Sequence, residues 1–392
     1  MSMFMDGRKF VQSFTYGLER DFVSPAGEPA AWAPGHPKRW GQERAKIQLG
    51  GIASTPTLSP DDKLVAVGVD GKILVFDVAT QAPLEVLTDE KRVESVQFAP
   101  GVVDSRDGKC ARYFLASQGG SDENPQVIIW ELDEQGKLVA TTEPRLSFEG
   151  ELGSFSPDGK TLVFSARTRQ PKRKAAKLQH FPIMWAAMSP DNKLVASVSW
   201  DGTARVCDAW SGSCLHVLGP LGGQLWSGAF SPDQKFLAFS QGDPRTYIHV
   251  YDIVTGQPVS RFDRLHMATR SLSWRLDGTM LACGADDGTL CIWDPYTGEE
   301  RMRWCLAFDD FLMRRFANTR AVQFIDGGRK LVFQIREGTV EVYDFERNLK
   351  QQFTRGVEDK IDRCPVSEMV CSGDSKFVVV PDMDGSLRIW DL

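Results

Sequence analysis

Apolar runs of about five or six residues, separated by short polar turns, follow one another along most of this chain. In the stretch "LACGADDGTLCIWD" at 281–294, two such runs lie on either side of Asp-Asp-Gly-Thr. Runs rich in Val, Ile, Leu and Phe are typical of β-strands, and Asp-Gly supplies the positive φ that a two-residue hairpin requires. The pattern therefore predicts antiparallel hairpins along the chain.

This hairpin is part of a repeated unit. An apolar strand, a Ser-Pro-Asp-like turn, a second strand, an Asp-Gly turn and a third strand ending in aromatic-Asp recur along the sequence. Proline presets its own φ, and the serine and aspartate side chains can bond nearby amides, so the first turn is also fixed locally. Eight copies are recognised: clear ones start at residues 57, 188, 230 and 274, and weaker ones at Val96, Gly153, Ala321 and Glu368.

Such a unit is too thin to be stable alone. A lone four-stranded meander leaves both of its faces uncovered and does not offset the entropy lost when it becomes ordered. Units of this size are stable when they stack face to face, and stacking around an axis limits the number of exposed strand edges. A chain of 392 residues is long enough for one large all-β domain built in this way.

The repeats resemble those of the WD40-repeat β-propeller family over about residues 44–392. The resemblance implies an all-β fold, a single propeller of four-stranded antiparallel blades with strands a to d from the inside outwards. Eight units predict eight blades with the third incomplete, and seven blades are the alternative. Only residues 167–182 separate the third hairpin, "GSFSPDGKTLVFSA", from the next copy. Either the third blade lacks strands, or a gene model has lost residues there.

The two ends of the chain predict how the propeller closes. The chain stops at "LRIWDL", the c strand of the last unit, whereas "ERAKIQL" at 43–49 precedes the first unit where a d strand belongs. We therefore expect the N-terminal strand to complete the last blade. Residues 1–42 are predicted to form an extended arm lying on the propeller at 43–392, with a disordered segment as the alternative.

The resemblance also implies a structural tetrad. In this family a histidine before strand a, a serine on b, an aspartate in the b–c turn and a tryptophan on c form a buried hydrogen-bonded set. The match is partial, because Cys207 replaces the tryptophan in one unit and Cys283 replaces the serine in another. The matching residues are His180, Ser197 and Asp201 in the unit from 188, and His266, Asp287 and Trp293 in the unit from 274.

Composition narrows the classes of function. A formal net charge of -6 gives no global basic field for nucleic-acid phosphates. No basic segment followed by an apolar stretch opens the sequence, and no apolar run approaches the roughly 18 residues that cross a bilayer. We expect a soluble intracellular protein, cytoplasmic or nuclear. The 8 cysteines show no metal-ligand spacing and are interpreted as free thiols. Cys283 and Cys291 can face each other across a hairpin, where two packed thiols are favoured.

No pattern in the sequence indicates catalysis. Histidines are few, and two of them already have tetrad roles. Nucleophile-elbow, zinc-protease, phosphate-loop and dinucleotide motifs do not occur in a strand-helix context. The acids of the turns are dispersed one per unit, whereas a calcium site gathers six to eight oxygens. We therefore expect no enzyme, cofactor, metal or small-molecule substrate, and a propeller hydrolase is the least favoured alternative.

The expected function is that of a non-enzymatic scaffold for a partner protein or peptide. In this family the d–a and b–c connections gather on one face around the mouth of a central channel, where partners commonly dock. The predicted rim residues are Glu94, Glu151, Met184, Trp226, Arg270 and Arg320, with Trp200 beside a b–c turn. An acidic, then apolar, then basic rim suits a partner peptide carrying both signs of charge. The alternative is that these are polar loop ends and that Trp226 is a packed inner residue.

Two insertions are further candidate sites. The segment 305–320 combines an apolar patch with two arginines, which is typical of an interaction surface, although a loop packed on a blade edge is the alternative. Its predicted contact residues are Phe308, Phe311, Met313, Arg314 and Arg315. The segment 167–177 is basic, like a nuclear-import signal, and offers a nucleic-acid-associated factor as the alternative function, or a solvated loop. Its basic residues are Arg167, Arg169, Lys172, Arg173, Lys174 and Lys177.

Overall fold

The computed structural model of the chain consists of β-strands joined by tight turns. It describes residues 23–24, 26–39, 42–88, 93–101, 103–104, 111–121, 124–139, 147–165, 182–305, 319–335, 338–354, 367–382 and 384–392. Within these ranges the one helical element is a single 3-10 turn at Asp326–Gly328. None of the described helical structure is long and apolar enough to span a membrane. The all-β prediction is confirmed.

The strands are short and follow the predicted apolar runs. In the N-terminal half they are β1 (Ala31–Trp32), β2 (Lys38–Arg39), β3 (Ala45–Gln48), β4 (Thr57–Leu58), β5 (Leu64–Val69), β6 (Lys72–Asp77), β7 (Pro83–Thr88), β8 (Val93–Phe98), β9 (Val103–Asp104), β10 (Ala111–Ser121), β11 (Asn124–Leu132), β12 (Ser147–Glu149), β13 (Glu151–Phe155), β14 (Leu162–Ser165), β15 (Ile183–Met188), β16 (Leu194–Ser199), β17 (Ala204–Asp208) and β18 (Cys214–Leu218). In the C-terminal half they are β19 (Leu225–Phe230), β20 (Phe236–Gln241), β21 (Tyr247–Asp252), β22 (Pro258–Phe262), β23 (Thr269–Trp274), β24 (Leu281–Ala285), β25 (Thr289–Trp293), β26 (Glu300–Cys305), β27 (Thr319–Ile325), β28 (Lys330–Ile335), β29 (Val340–Asp344), β30 (Leu349–Thr354), β31 (Val370–Cys371), β32 (Phe377–Pro381) and β33 (Ser386–Asp391).

The chain divides into two compact units. Unit 1 comprises residues 1–44, 226–366 and 392, and unit 2 comprises 45–225 and 367–391. Unit 2 contains sheet A (β4–β7), sheet B (β8 and β10–β12, with β9 on β10), the hairpin β13–β14, sheet C (β15–β18) and sheet G (β31–β33 with β3). Unit 1 contains sheet D (β19–β22), sheet E (β23–β26) and sheet F (β27–β30 with β1 and β2).

The number of full sheets corrects one expectation. The described residues form seven sheets of four or more strands, and the third repeat contributes only the two-stranded hairpin β13–β14. The prediction of eight blades is not supported, and seven sheets, each built on four antiparallel strands, match the alternative of seven blades. The physical reason is spacing, because β14 ends at Ser165 and sheet C already begins at Ile183. Residues 166–181 lie outside the described part.

The Ser-Pro-Asp turns fold as their chemistry predicts. In sheet A, the Ser59 hydroxyl donates to Asp61 at 2.7 Å and accepts from the amide of Leu64 at 2.9 Å. The serines at 156, 189, 231 and 372 make the same pair of bonds at the start of their own hairpins. Each turn therefore satisfies its own polar groups, which explains why the repeat is visible in sequence.

The N-terminal strand completes sheet G, as predicted. β3 pairs antiparallel with β33, with Ala45 opposite Ile389 and Gln48 opposite Ser386. In the resulting order β3-β33-β32-β31, the last strand of the chain lies inside the sheet. Sheet G packs on sheet A through an apolar cluster in which Val65 and Val379 are both fully buried.

The segment before β3 lies along sheet F in unit 1. β1 and β2 pair in parallel with β30, with Ala31 opposite Leu349 and Arg39 opposite Thr354. Ala30 is buried in the same apolar cluster as Trp304. The described residues between 23 and 39 thus extend over the outer edge of sheet F, whereas the assignment of 1–42 as a separate arm stays a prediction.

Candidate functional site

The best-defined rim residues lie in unit 1, where sheets D and E meet. Trp226 is the second residue of β19, Arg270 is the second residue of β23, and Asp286 follows β24 in the turn to β25. The guanidinium carbon of Arg270 lies 4.4 Å from the centroid of the Trp226 ring. Its Nε donates to both oxygens of Asp286, at 2.9 and 3.0 Å. We call this set the Trp226–Arg270–Asp286 cluster.

The cluster is partly open to solvent. The Arg270 side chain is 36% exposed and that of Asp286 is 12% exposed, while Trp226 is half-buried. A Cβ at Gly242 would lie 2.8 Å from the Trp226 Nε1, so the absence of a side chain at Gly242 is what makes room for the indole. Trp226 is therefore packed against its own sheet and also partly exposed. It combines the two alternatives given by the sequence, a rim residue and a packed inner residue.

Backbone contacts hold the cluster in place. Ser240 on β20 accepts from the amide of Ser227 at 3.1 Å, and its hydroxyl donates to the carbonyl of Thr269 at 2.8 Å. These two backbone groups belong to the neighbours of Trp226 and Arg270 in sequence. The amide of Asp286 donates to the carbonyl of Ala268 at 2.9 Å, which ties the b–c turn to the start of β23. Sequence reasoning did not single out Ser240 or Asp286.

Asp286 changes the charge expected of this part of the rim. Arg270 was predicted to form part of a basic sector, but its ion pair brings a carboxylate to the same place. Arg270 uses its Nε for the hydrogen bond to Asp286, and the planar face of its guanidinium lies on Trp226. The groups that a ligand would contact are therefore the terminal nitrogens of the guanidinium and the indole. Pairing of a partly exposed Arg and Asp restricts the Arg rotamers, while its net electrostatic stabilisation is modest, on the order of 1 kcal/mol.

Beside the cluster, sheet D buries a histidine. His249 Nε2 lies 2.9 Å from Gln241 Oε1, and its ring stacks on Phe239 at a centroid distance of 5.5 Å. Burial, and then the positive charge of Arg261, lowers the pKa of His249 to about 4. The imidazole is therefore neutral at pH 7 and donates to the amide oxygen, which gives it a structural role in sheet D.

The rim residues of unit 2 also lie at strand starts. Glu94, the second residue of β8, is exposed and accepts from Gln118 Nε2 at 3.2 Å. Gln118 in turn accepts from the amide of Leu152 at 2.7 Å, which links sheet B to the hairpin β13–β14. Met184, the second residue of β15, and Trp200, which follows β16, are both half-buried.

Two rim residues are defined by their backbone only. Glu151 is the first residue of β13 and Arg320 is the second residue of β27, and their side chains lie outside the described part. The six predicted strand-start residues thus fall at the first or second position of their strands. Their gathering around one channel mouth stays a prediction.

The structure does not assemble the expected tetrad in sheet E. His266 is exposed, Trp293 is fully buried, and Asp287 accepts from the amide of Thr289 at 2.9 Å. Among the described residues no hydrogen bond reaches Trp293 Nε1, and its ring stacks on Phe262 at 5.2 Å. Within the described part of the chain no hydrogen bond joins these three residues to one another, and their tetrad role stays a prediction. Cys283 stands where a serine would offer the indole an oxygen acceptor.

In sheet C the tetrad prediction meets a similar limit. Asp201 accepts from the amide and the hydroxyl of Thr203, at 2.8 and 2.7 Å, and so closes its own turn. Ser197 lies on β16, and His180 lies outside the described residues.

A serine–tryptophan bond of the expected kind occurs in sheet B. Trp130 Nε1 donates to the Ser117 hydroxyl at 2.8 Å, and both residues are buried. Trp130 stands directly before Glu131, the one position where glutamate replaces the aspartate of the repeat. This Trp-Glu pair marks the tryptophan in the sequence, although the tetrad prediction did not include it.

The two insertions lie outside the described part, and so their predicted roles stay predictions. The residues concerned are Phe308, Phe311, Met313, Arg314 and Arg315 in one segment and Arg167, Arg169, Lys172, Arg173, Lys174 and Lys177 in the other. In the ranges that the structure does describe, no three His, Cys, Asp or Glu side chains are grouped so as to hold a metal ion.

Comparison with known proteins identifies the repeat. The family described as "WD domain, G-beta repeat" matches residues 173–208, 256–294 and 361–391. These segments end at Asp208, Asp294 and Asp391, three of the aspartates that end the repeated unit. They correspond to the repeats of sheets C, E and G.

Three relatives show the extent of the similarity. Pre-mRNA-processing factor 19 homolog 2 of Arabidopsis thaliana is 27% identical over 354 residues, 88% of this chain and 55% of its own length. The target of rapamycin complex subunit wat1 of Schizosaccharomyces pombe is 33% identical over 199 residues, 50% of this chain and 58% of its own. The guanine nucleotide-binding protein subunit beta of Zea mays is 24% identical over 254 residues, 61% and 64% respectively. The chain thus spans less than two thirds of each of these relatives.

Proposed function

Because this chain is a divergent member of the WD40-repeat β-propeller family, we propose that it is a non-enzymatic scaffold that binds a partner protein or peptide through its rim residues. Two of the relatives are named as subunits, one of the target of rapamycin complex and one of a guanine nucleotide-binding protein. Membership of assemblies is what a protein-interaction scaffold requires.

The Trp226–Arg270–Asp286 cluster is the observation that carries this proposal. Tryptophan and arginine are the residue types that most often dominate interface energetics. Here the arginine is stacked on the indole and held by a carboxylate, so less side-chain freedom remains to be lost when a partner binds. A preorganised, half-exposed pair of this kind is suited to recognition.

The chemistry of the cluster defines what part of a partner it accepts. The indole offers an apolar surface, and the guanidinium offers N–H donors beside it. An extended peptide with an apolar side chain next to a carboxylate or a backbone carbonyl satisfies both. Asp286 lies on the other side of the guanidinium, and therefore a partner carrying two adjacent acids is disfavoured there by repulsion.

Capture from native lysate with a matched control tests the proposal. The test variant Trp226→Ala/Arg270→Glu removes the indole and reverses the charge at the cluster. The control variant Tyr296→Ala/Arg301→Glu also removes an aromatic ring and reverses an arginine charge, at the c–d turn of sheet E and the start of β26, where Arg301 is 43% exposed and lies 2.9 Å from Asp294. Both variants are first compared with the parent protein by thermal unfolding, so that loss of fold is recognised.

We expect the test variant to lose its specific partners, with recovery reduced at least about tenfold, equivalent to about 1.4 kcal/mol, and the control variant to retain them. Equal recovery by the parent protein and the test variant would reject the rim assignment. Equal loss in both folded variants would show that binding follows the net charge of the chain rather than the cluster.

A further inference from the structure

Two pairs of cysteines lie directly opposite each other on neighbouring strands. Cys207 on β17 pairs with Cys214 on β18 in sheet C, and Cys283 on β24 pairs with Cys291 on β25 in sheet E. Opposed residues of an antiparallel pair have Cα atoms about 4.5–5.5 Å apart and project to the same face. A disulfide requires a Cα separation of about 4.4–6.8 Å. Both pairs therefore meet the backbone requirement for a disulfide, and all four thiols are free.

The two pairs differ in access to solvent. Cys283 and Cys291 are both 0% exposed. Cys214 is exposed and Cys207 is half-buried, and among the described strands β18 is the last of sheet C. A small polar oxidant reaches Cys214 directly, but it reaches the pair in sheet E only when that sheet opens. The described residues thus include one partly exposed pair and one fully buried pair with similar backbone placement.

A local irregularity brings the exposed pair into register. Val206 pairs with His216, but the next residue of β17, Cys207, pairs with Cys214, so β18 contains one additional residue at this point. Bulges of this type re-aim side chains at sheet edges. The two cysteines are thereby placed directly opposite each other, and the Cys214 thiol lies 3.4 Å from the carbonyl oxygen of His216.

We propose that Cys207 and Cys214 form a reversible disulfide when a hydroperoxide oxidises the exposed Cys214. The Cys214 thiolate attacks one oxygen of hydrogen peroxide, the O–O bond breaks, and hydroxide leaves with a proton from solvent as water. The sulfur of Cys207 then attacks the sulfur of the Cys214 sulfenic acid, loses its proton, and displaces the second water. In total two thiols and one peroxide give one disulfide and two waters, with two electrons passing from sulfur to oxygen.

The roles of the two residues follow from their surroundings. Burial, followed by the contact with Cys214, raises the pKa of the Cys207 thiol to about 11. Cys207 is therefore protonated at pH 7 and reacts slowly with a peroxide in solution, because the thiolate is the nucleophile. Its position directly opposite Cys214 makes it effective as the resolving residue, since the second step is intramolecular. This inference does not depend on the proposed rim.

The disulfide would act on an exposed part of sheet C. The turn between the two cysteines carries Trp210, which is 98% exposed, and β18 carries Leu215 and Val217, which are 50% and 52% exposed. A bond between β17 and β18 fixes this turn relative to the sheet edge. Oxidation would therefore alter the presentation of an apolar surface in unit 2.

Peroxide treatment of the full chain, followed by alkylation and peptide mass mapping, tests this proposal. We expect a peptide cross-linked between Cys207 and Cys214, lighter by two hydrogens than the reduced pair, and restored to two thiols by dithiothreitol. In the same sample Cys283 and Cys291 should remain alkylatable, which makes them an internal control. Each variant is checked for native thermal unfolding before it is treated.

Single variants separate the two steps. Cys207→Ser should leave a sulfenic acid at Cys214 that a dimedone probe labels, whereas Cys214→Ser should reduce oxidation of Cys207 at least tenfold. The double variant Cys283→Ser/Cys291→Ser should form the Cys207–Cys214 link at the parent rate. The proposal is overturned if the cross-linked peptide does not form, if the pair in sheet E is oxidised equally fast, or if Cys214 links only to another chain. A trivalent arsenical, which needs two adjacent thiols, should bind the folded parent and not the Cys214→Ser variant.

Discussion

Replacement of Ser240 by alanine tests how the cluster is held between sheets D and E. The hydroxyl of Ser240 accepts from the Ser227 amide and donates to the Thr269 carbonyl, and all three residues are buried. Alanine removes both hydrogen bonds, and the hydroxyl group is the only part of the side chain that is lost. The buried amide of Ser227 and the buried carbonyl of Thr269 then each lose this hydrogen bond.

The expected magnitude follows from these two groups. A buried polar group that loses its hydrogen bond costs about 1–3 kcal/mol, so the loss at two groups in Ser240→Ala should reduce the free energy of unfolding by about 2–6 kcal/mol. Because the affected backbone adjoins Trp226 and Arg270, partner binding should weaken in the same variant.

Urea unfolding and hydrogen exchange measure the two parts of this effect. The amide of Ser227 should exchange at least about tenfold faster in Ser240→Ala, because about 1.4 kcal/mol corresponds to a factor of ten. Ser211→Ala is the matched control, since its hydroxyl donates to Asp208 at 2.7 Å and accepts from the Ser213 amide at 3.2 Å, both in an exposed turn, and it should change stability by less than about 0.5 kcal/mol. Equal effects of the two substitutions, or unchanged exchange at Ser227, would refute the reasoning.

Two further predictions concern sheets D and F. The pKa of His249 is lowered to about 4 in the folded protein, below its usual value of about 6.5, so the unfolded chain binds the proton more tightly between these pH values. Stability is therefore retained above about pH 6.5 and should fall by about 2–3 kcal/mol on acidification to about pH 4.5. Urea unfolding at both pH values measures this, and His249→Phe should show a smaller pH dependence; an unchanged dependence would mean that other groups cause it. Ala30→Asp places a carboxylate in the apolar cluster around Trp304, which should release the segment 26–39 and speed its cleavage in limited proteolysis at least tenfold. Ala26→Asp, at an exposed position, should leave cleavage unchanged, and equal cleavage of both variants would contradict the packing described.

Local chemistry accounts for what the sequence could predict. The Ser59–Asp61 turn closes on itself within six residues, so its signature is legible without knowledge of the rest of the fold. The same holds for strand starts, which is why six of the seven predicted rim residues fall at the first or second position of their strands. The pairing of β3 with β33 was also predictable, because an unpaired edge and a spare strand occur at opposite ends of the chain.

Contacts between distant segments account for the features of the fold and of the site that the sequence could not predict. The pair Ala31–Leu349 joins residues more than 300 positions apart in parallel register, and no local pattern specifies it. Asp286 was one acid among many in the turns, and only the packing of β23 beside β24 brings it to Arg270. The tetrad has a related dependence: Cys283 differs from serine by one atom, but whether Trp293 finds another acceptor depends on its surroundings in three dimensions.

Hydrogen exchange of the chain with a captured partner bound tests the central claim most directly. If the Trp226–Arg270–Asp286 cluster is the recognition site, partner binding should slow exchange at the starts of β19 and β23 and in the turn after β24, and should leave the c–d turn around Tyr296 unchanged. Protection confined to segments away from these three would contradict the account, even if the partner were genuine.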